Sequence, residues 1–250
     1  MFSSAMQELK LLFHICFAQN HGVLHRDRME NYFKPQAERY DSFRDRLLHG
    51  RRELFSEIEV NAGDVWIDIG GGTGRSLEFI DEKINKLSKV YIVDISPSLL
   101  AIAKERIKKN NWKNVYCIEA DAASFCLSDV ERADVVTFTY SLSMIPNWFE
   151  ALDSAYKLLK PNAQLAVIDF YIAKKHPNKN NYPRQSFLAR LFWQIFFVGD
   201  DVFPNGDHLA YLSKLCSESS FKAGKGKIPY LPLWAPYYQF IGRRKNKGIE

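Results

Sequence analysis

The stretch "VWIDIGGGTGRS", residues 65 to 76, constrains this chain more than any other. An apolar run with an acid inside it ends in Gly70, Gly71, Gly72 and Gly74, and a helical pattern follows. Glycine has no side chain, so such a loop turns through conformations that other residues avoid and lets a ligand approach the backbone closely. Set between a strand and a helix, it forms the ligand-holding corner of an open α/β sheet.

The surrounding chain keeps the rhythm that such a sheet demands. Short apolar runs alternate with helical patterns: "VWIDI" (65 to 69), a helix from about 75 to 86, "VYIVD" (90 to 94), a helix from about 97 to 110 opened by Pro97, "VYCIEA" (115 to 120), "DVVTFTY" (134 to 140), a helix from about 147 to 159 and "QLAVIDFY" (164 to 171). A parallel sheet covered by helices produces this order. "KPNAQ", 160 to 164, reads as a turn. Residues 1 to 60 read as helical, with Tyr40, Phe43, Leu47, Leu54, Phe55 and Ile58 at helical spacing interrupted at Gly50. After Tyr171 come a loop, the apolar helix "SFLARLFWQIFFV", a second loop, the helix "LAYLSKLCSESS", and two strands, "GKIPYL" and "YYQFIGRR", that can pair antiparallel.

Composition narrows the function classes. At 250 residues the chain builds one sizeable domain, and its net charge of +5 permits nucleic acid without implying it. Arg243, Arg244, Lys245 and Lys247 read as a solvated basic tail. Cys16, Cys117, Cys126 and Cys216 are scattered without zinc-site spacing, which implies reduced thiols and no metal. "LLFHICFA" reads as a helix rather than a signal peptide, and no apolar run reaches the roughly 20 residues that span a bilayer, so a cytoplasmic location is expected.

The glycine loop excludes two cofactor classes. A phosphate-binding P-loop needs Lys followed by Ser or Thr, whereas this loop ends "GTGRS". A dinucleotide fingerprint needs its third glycine where Arg75 stands, and Gly74 falls one position early. What remains is D-x-G-x-G-x-G, from Asp68 through Gly70 and Gly72 to Gly74.

With that motif the sequence resembles class I S-adenosylmethionine-dependent methyltransferases over roughly residues 61 to 171. The resemblance implies a Rossmann-like α/β fold: a mostly parallel seven-stranded sheet with helices on both faces and an antiparallel C-terminal strand. It implies a helical cap over 1 to 60 and a methyltransferase domain over 61 to 250, with substrate-binding additions around 172 to 235. The cofactor would be S-adenosylmethionine, with S-adenosylhomocysteine as product and no metal. Asp94 and Ile95 would meet the ribose, Asp121 and Ala122 the adenine, and Tyr140 and Ser141 the methionine end, with Tyr32 and Tyr40 closing over it. Asp68 reads two ways, orienting the loop or the cofactor's ammonium, or capping backbone amides at a strand end.

The flanks "YDSFRDRLLHGRREL", "DVFPNGDHLAYL" and "IPYLPLWAPYYQFIGRR" are similar to the methyltransferase module of betaine-lipid synthesis. That likeness implies a lipid amine substrate, diacylglyceryl homoserine, supplied by a separate enzyme and trimethylated here. Tyr140, Asp169 and His208 would hold the amine or take its proton, and Tyr237 and Tyr238 would wall the pocket. The apolar helix would line an acyl channel or rest peripherally on the inner face of the membrane, with Lys174, Lys175, Lys179 and Arg184 toward anionic headgroups; core burial and plain solvation explain the same residues. The alternatives are a small-molecule or phosphoethanolamine-type N-methyltransferase, a nucleic-acid methyltransferase and a non-catalytic binding protein. "TYSLSMIP" lacks the Asn-Pro-Pro-aromatic segment of many base-methylating enzymes, so nucleic acid is not the expected partner.

Overall fold

A computed structural model describes residues 22 to 245 except 36–39, 127–129, 178, 180, 199 and 200. Seven strands form one sheet in the order β3-β2-β1-β4-β5-β7-β6. They are β1 (Val65–Ile69), β2 (Lys89–Asp94), β3 (Val115–Glu119), β4 (Ala133–Thr139), β5 (Leu159–Phe170), β6 (Cys216–Lys227) and β7 (Trp234–Arg244). The first five pair in parallel. β7 then runs antiparallel to β5, with Ile168 opposite Gln239, and β6 antiparallel to β7. The strand order reverses at β1, which lies between β2 and β4, so a crevice opens where these three strands end.

Burial on both faces explains why the central strands are nearly continuous apolar runs. Every residue of β1 is buried. Trp66, Ile92 and Val135 belong to the core on one face, and Ile67, Val93 and Phe138 to the core on the other. Helices cover both: α1 (His25–Phe33), α2 (Tyr40–Leu47) and α3 (Arg51–Glu57) before the sheet, then α4 (Pro97–Lys109), α5 (Trp148–Leu158), α6 (Phe187–Val198) and α7 (Asp207–Leu215). Ser96 caps α4 by accepting from Leu99 N, and Pro97 opens it, since a proline in the first turn forfeits no helical hydrogen bond. Phe55 of α3 stacks on Trp66 with ring centroids 5.5 Å apart, which seats the N-terminal helices on the sheet.

Five local expectations are corrected. The pattern at 75 to 86 forms a 3-10 stretch, Arg75–Lys86, broken at Asp81, whose φ is 53°. "KPNAQ" lies inside β5, where Asn162 at φ 62° accompanies an irregular register against β4. "CSESS" leaves α7 at Leu215 and begins β6, because pairing along the length of β7 outweighs the weak helix preference of serine. "GKIPYL" ends β6 at Lys227 and continues into the hairpin loop, closed by Ile228 N donating to Leu233 O at 2.9 Å. Arg243 and Arg244 belong to β7 rather than to a tail: Arg243 pairs with Glu59 at 2.7 Å, and Arg244 donates to Leu159 O.

Candidate functional site

The ends of β1, β2 and β4 open into a cavity. Gly70 and Gly72 line it from the loop after β1, Asp94 and Ile95 from the end of β2, Asp121 and Ala122 from beyond β3, and Thr139, Tyr140 and Ser141 from the end of β4. Its roof is α1, through His25, Met29 and Phe33. These three recur every fourth residue and therefore share one helix face.

The loop's shape requires its glycines. Gly70, Gly72 and Gly74 have φ of 66°, 55° and 68°, the left-handed region. A Cβ on Gly70 would overlap the side chain of Ser141. One on Gly72 would meet only Leu99 at 3.5 Å and Asp94 at 3.9 Å, so its absence leaves the cavity wall as bare backbone. Asp94 then ties two loops together: Oδ2 accepts from Gly72 N at 2.8 Å and Oδ1 from Ser96 N at 2.9 Å. Burial pushes its carboxyl up to about 6, so at neutral pH it is mostly ionised and retains lone pairs toward the cavity.

Asp68 lies beneath this loop instead of facing the cavity. Trp66 Nε1 donates to Thr137 Oγ1 at 3.0 Å, and Thr137 Oγ1 donates to Asp68 Oδ1 at 2.6 Å. Asp68 Oδ2 has no protein partner, and burial raises the carboxyl to about 7. A carboxyl whose folded-state pKa is raised contributes stability that is present below its unfolded value and lost as pH rises through the folded value. The ligand-free protein is therefore expected to lose on the order of 1 kcal/mol per pH unit from this group between the ordinary carboxylate range and about 7. Denaturant unfolding of Asp68→Asn should lack that part of the slope. Parallel slopes for wild type and variant would contradict the assignment.

A ring of ion pairs clasps α2 and the start of α3 to the outside of the glycine loop. Asp41 accepts from Thr73 Oγ1 and from Arg106 Nη2, each at 2.6 Å, while Arg106 Nη1 donates to Thr73 O at 2.6 Å. Asp45 pairs with Arg51 at 2.7 Å and with Arg75 at 2.9 Å.

Tyr32, expected over the methionine end, is not among the residues lining the cavity; it is buried in a cluster with Met29, Phe33 and Leu99 and accepts from Arg44 Nη2 at 2.9 Å. The side chain of Tyr40 lies outside the described residues. The aromatic roof is Phe33, which the spacing from Met29 in "MENYF" could have indicated.

The three residues considered for catalysis are not brought together. Tyr140 lines the cavity at φ 52°, and its hydroxyl donates to His49 O at 2.7 Å. Asp169 is fully buried and braces the 3-10 turn Leu142–Met144: it accepts from Ser143 N at 2.8 Å, Ser143 Oγ at 2.6 Å and Phe170 N at 2.7 Å. His208, fully buried, packs against Trp148 with ring centroids 4.8 Å apart. The resemblance offered it to hold the amine or take its proton, but burial lowers its pKa to about 3, and neither ring nitrogen has a hydrogen-bond partner among the described residues. Tyr238 is a core residue of β7, and Tyr237 is half-buried beside it.

A second cavity of about 600 Å³ lies between α6 and the segment at 202 to 207. Phe187, Leu191, Val202 and Phe203 give it an apolar lining; Lys174, Lys175 and Arg190 are its cations, and Arg190 Nε is buried without a protein partner. Phe203 N donates to Ser143 O at 2.7 Å, so the turn braced by Asp169 stands between the two cavities. Trp193 and Phe197 anchor the inner face of α6, Phe197 at 4.3 Å between ring centroids from Phe170. Leu188 and Ile195, which do not line the cavity, remain 73% and 67% exposed on the outer face. Among the described residues no helix is long and apolar enough to cross a membrane.

The first cavity fits the cofactor that the glycine motif implies. Asp94 and Asp121 offer carboxylates to hydroxyl and amino donors, while Ile95, Leu99, Ala122 and Phe33 offer apolar surface to a flat base. Thr139 Oγ1 and His25 Nδ1 are buried there without a protein partner, as polar atoms awaiting a ligand would be.

Comparison with known proteins agrees. The model of the ubiE/COQ5 methyltransferase family matches residues 22–204. A ubiquinone/menaquinone biosynthesis C-methyltransferase UbiE of Klebsiella pneumoniae subsp. pneumoniae is 25% identical over 194 residues, 75% of this chain and 75% of that one. A SAM-dependent methyltransferase from Aquifex aeolicus shares the fold at 17% identity and TM-score 0.53, over 83% of this chain and 97% of that one. So does the N-methyltransferase NodS from Bradyrhizobium japonicum WM9, at 14% identity and TM-score 0.54, over 78% and 86%.

The family match overturns the betaine-lipid likeness read from the flanks. The structure supplies a reason for two of the three flanks, which are architectural. "YDSFRDRLLHGRREL" provides the clasp on the glycine loop, and "YYQFIGRR" is the strand that closes the sheet against β5.

Proposed function

The chain belongs to the ubiE/COQ5 methyltransferase family and uses S-adenosylmethionine, and from that premise we propose that its acceptor is a small molecule with an apolar body and a polar head. When bound, the cofactor supplies a methyl group made electrophilic by its sulfonium. Asp94 would accept from the ribose hydroxyls and Asp121 from the adenine amino group, with Tyr140, Ser141 and Met144 beside the methionine end. Asp169 would act by holding the turn that separates cofactor from acceptor.

The observation that carries this reading is the second cavity. It is lined both by apolar side chains of α6 and Phe203 and by Arg190 of the same helix, Lys175 and Lys174, the last paired with Asp207 at 2.5 Å, one turn away from the cofactor cavity. The named relative is a C-methyltransferase, which favours an electron-rich carbon as the nucleophile. The exposed outer face of α6 would let such an acceptor pass from an apolar phase, with the neighbouring lysines toward anionic groups.

Incubating the protein and S-adenosylmethionine carrying a 13C methyl group with a cellular lipid extract tests the reading. The expected label is in a low-mass, organic-soluble product whose NMR shift is that of a carbon-bound methyl. A nitrogen-bound methyl would replace the carbon acceptor with an amine. Label confined to precipitated protein or nucleic acid would remove the small-molecule reading altogether.

A further inference from the structure

We propose that His25 is a cofactor-reading residue, whose neutral imidazole accepts a hydrogen bond at Nδ1 from the adenine amino group of S-adenosylmethionine. The inference rests on the assignment of the first cavity to the cofactor. His25 lies on the α1 face that lines this cavity, and its Nδ1 is buried with no hydrogen-bond partner among the described residues. A buried imidazole nitrogen left unpaired costs free energy unless a ligand satisfies it.

The rest of α1 fixes that face in place. Arg26 pairs with Glu119 at the end of β3, and Arg28 with Asp201 at 3.4 Å. Glu30 accepts from Ser96 Oγ at 2.8 Å and from Ser98 Oγ. The helix is thus tied to β3, to α4 and to the segment before the second cavity, and His25 lines the first cavity together with Asp121.

The protonation state suits an acceptor. Burial and the Arg28 guanidinium lower the imidazole's pKa, against opposing pulls from Asp121 and Asp201, and the net shift is downward. His25 is therefore largely neutral at pH 7, and in the tautomer protonated at Nε2 its Nδ1 lone pair is available. Asp121, the acid that acts on His25, lies at the end of the cavity where a base would sit. The adenine amino group has two N–H bonds, one for each of these acceptors.

Calorimetry with two ligands separates reading from packing. S-adenosylhomocysteine carries the amino group; S-inosylhomocysteine has a carbonyl in its place. His25→Ala should weaken S-adenosylhomocysteine binding about three- to tenfold, the range of one neutral hydrogen bond, and should shrink the discrimination between the two ligands. His25→Asn, which restores an acceptor, should recover most of both. Equal weakening of both ligands by His25→Ala would make the residue a packing element, and no weakening would end the proposal. Asp94→Ala serves as the control for the cavity itself. If it too left binding unchanged, the cavity assignment would fail, whereas its weakening alongside an inert His25→Ala would refute only the role of His25.

Discussion

Asp94→Ala should lower the affinity for S-adenosylmethionine by about 100-fold or more while the protein remains folded. The carboxylate would accept from two ribose hydroxyls, and hydrogen bonds to a charged acceptor are worth about 1.5–3 kcal/mol each, so their joint loss amounts to two or more powers of ten. It also accepts from Gly72 N and Ser96 N, so its removal frees the glycine loop from α4's N-terminus and leaves two donors without their partner. Both effects weaken binding. Asp94→Asn should lose less, because it keeps one acceptor. Calorimetric titration with S-adenosylhomocysteine measures this without the acceptor being known. An unchanged affinity in the alanine variant would disprove the site.

Gly70→Ala should destabilise the fold by about 3 kcal/mol or more and abolish cofactor binding. Two costs add: a non-glycine residue in the left-handed region costs about 1–2 kcal/mol, and an added methyl in a packed site costs about 1–3 kcal/mol. The collision is with Ser141, which is held by its own hydrogen bond to Ile69 O at 2.9 Å and cannot easily retreat. Gly63 supplies the control, since at φ 85° its Cβ would meet nothing within 4 Å. Gly63→Ala should therefore cost only the backbone part, about 1 kcal/mol. Denaturant unfolding of the two variants separates collision from conformation, and equal losses would show that Ser141 yields.

Much of this architecture was legible because it rests on local rules. Strands buried on both faces announce themselves as apolar runs, and the left-handed glycines after β1 leave a motif that few other loops share. Asp94, ending the second predicted strand, and Asp121, just after the third, are picked out by the family resemblance, and both line the cavity. Less legible were features that depend on contacts between distant segments. Tyr32 and Phe33 are adjacent in sequence, yet α1's orientation puts only Phe33 over the cavity. His208 resembles a base on paper and becomes a weakly basic core residue once Trp148 covers it. Asp169 resembles a catalytic acid until Ser143, on a different loop, occupies both its oxygens. The aromatic C-terminal flank misdirected the acceptor assignment because an edge hairpin and a substrate wall draw on the same residue types.

The short turn at Leu142–Met144 carries a thermodynamic obligation. It borders the first cavity through Met144 and meets the second through the bond from Phe203 N to Ser143 O, while Asp169 grips its middle from within the sheet. Any displacement that one ligand imposes on this segment is felt by the other. Linkage makes that influence reciprocal: whatever factor the methyl donor applies to the acceptor's affinity, the acceptor must apply to the donor's. On the proposed placement of the acceptor in the second cavity, one buried aspartate thus braces the partition through which the two substrates would sense each other.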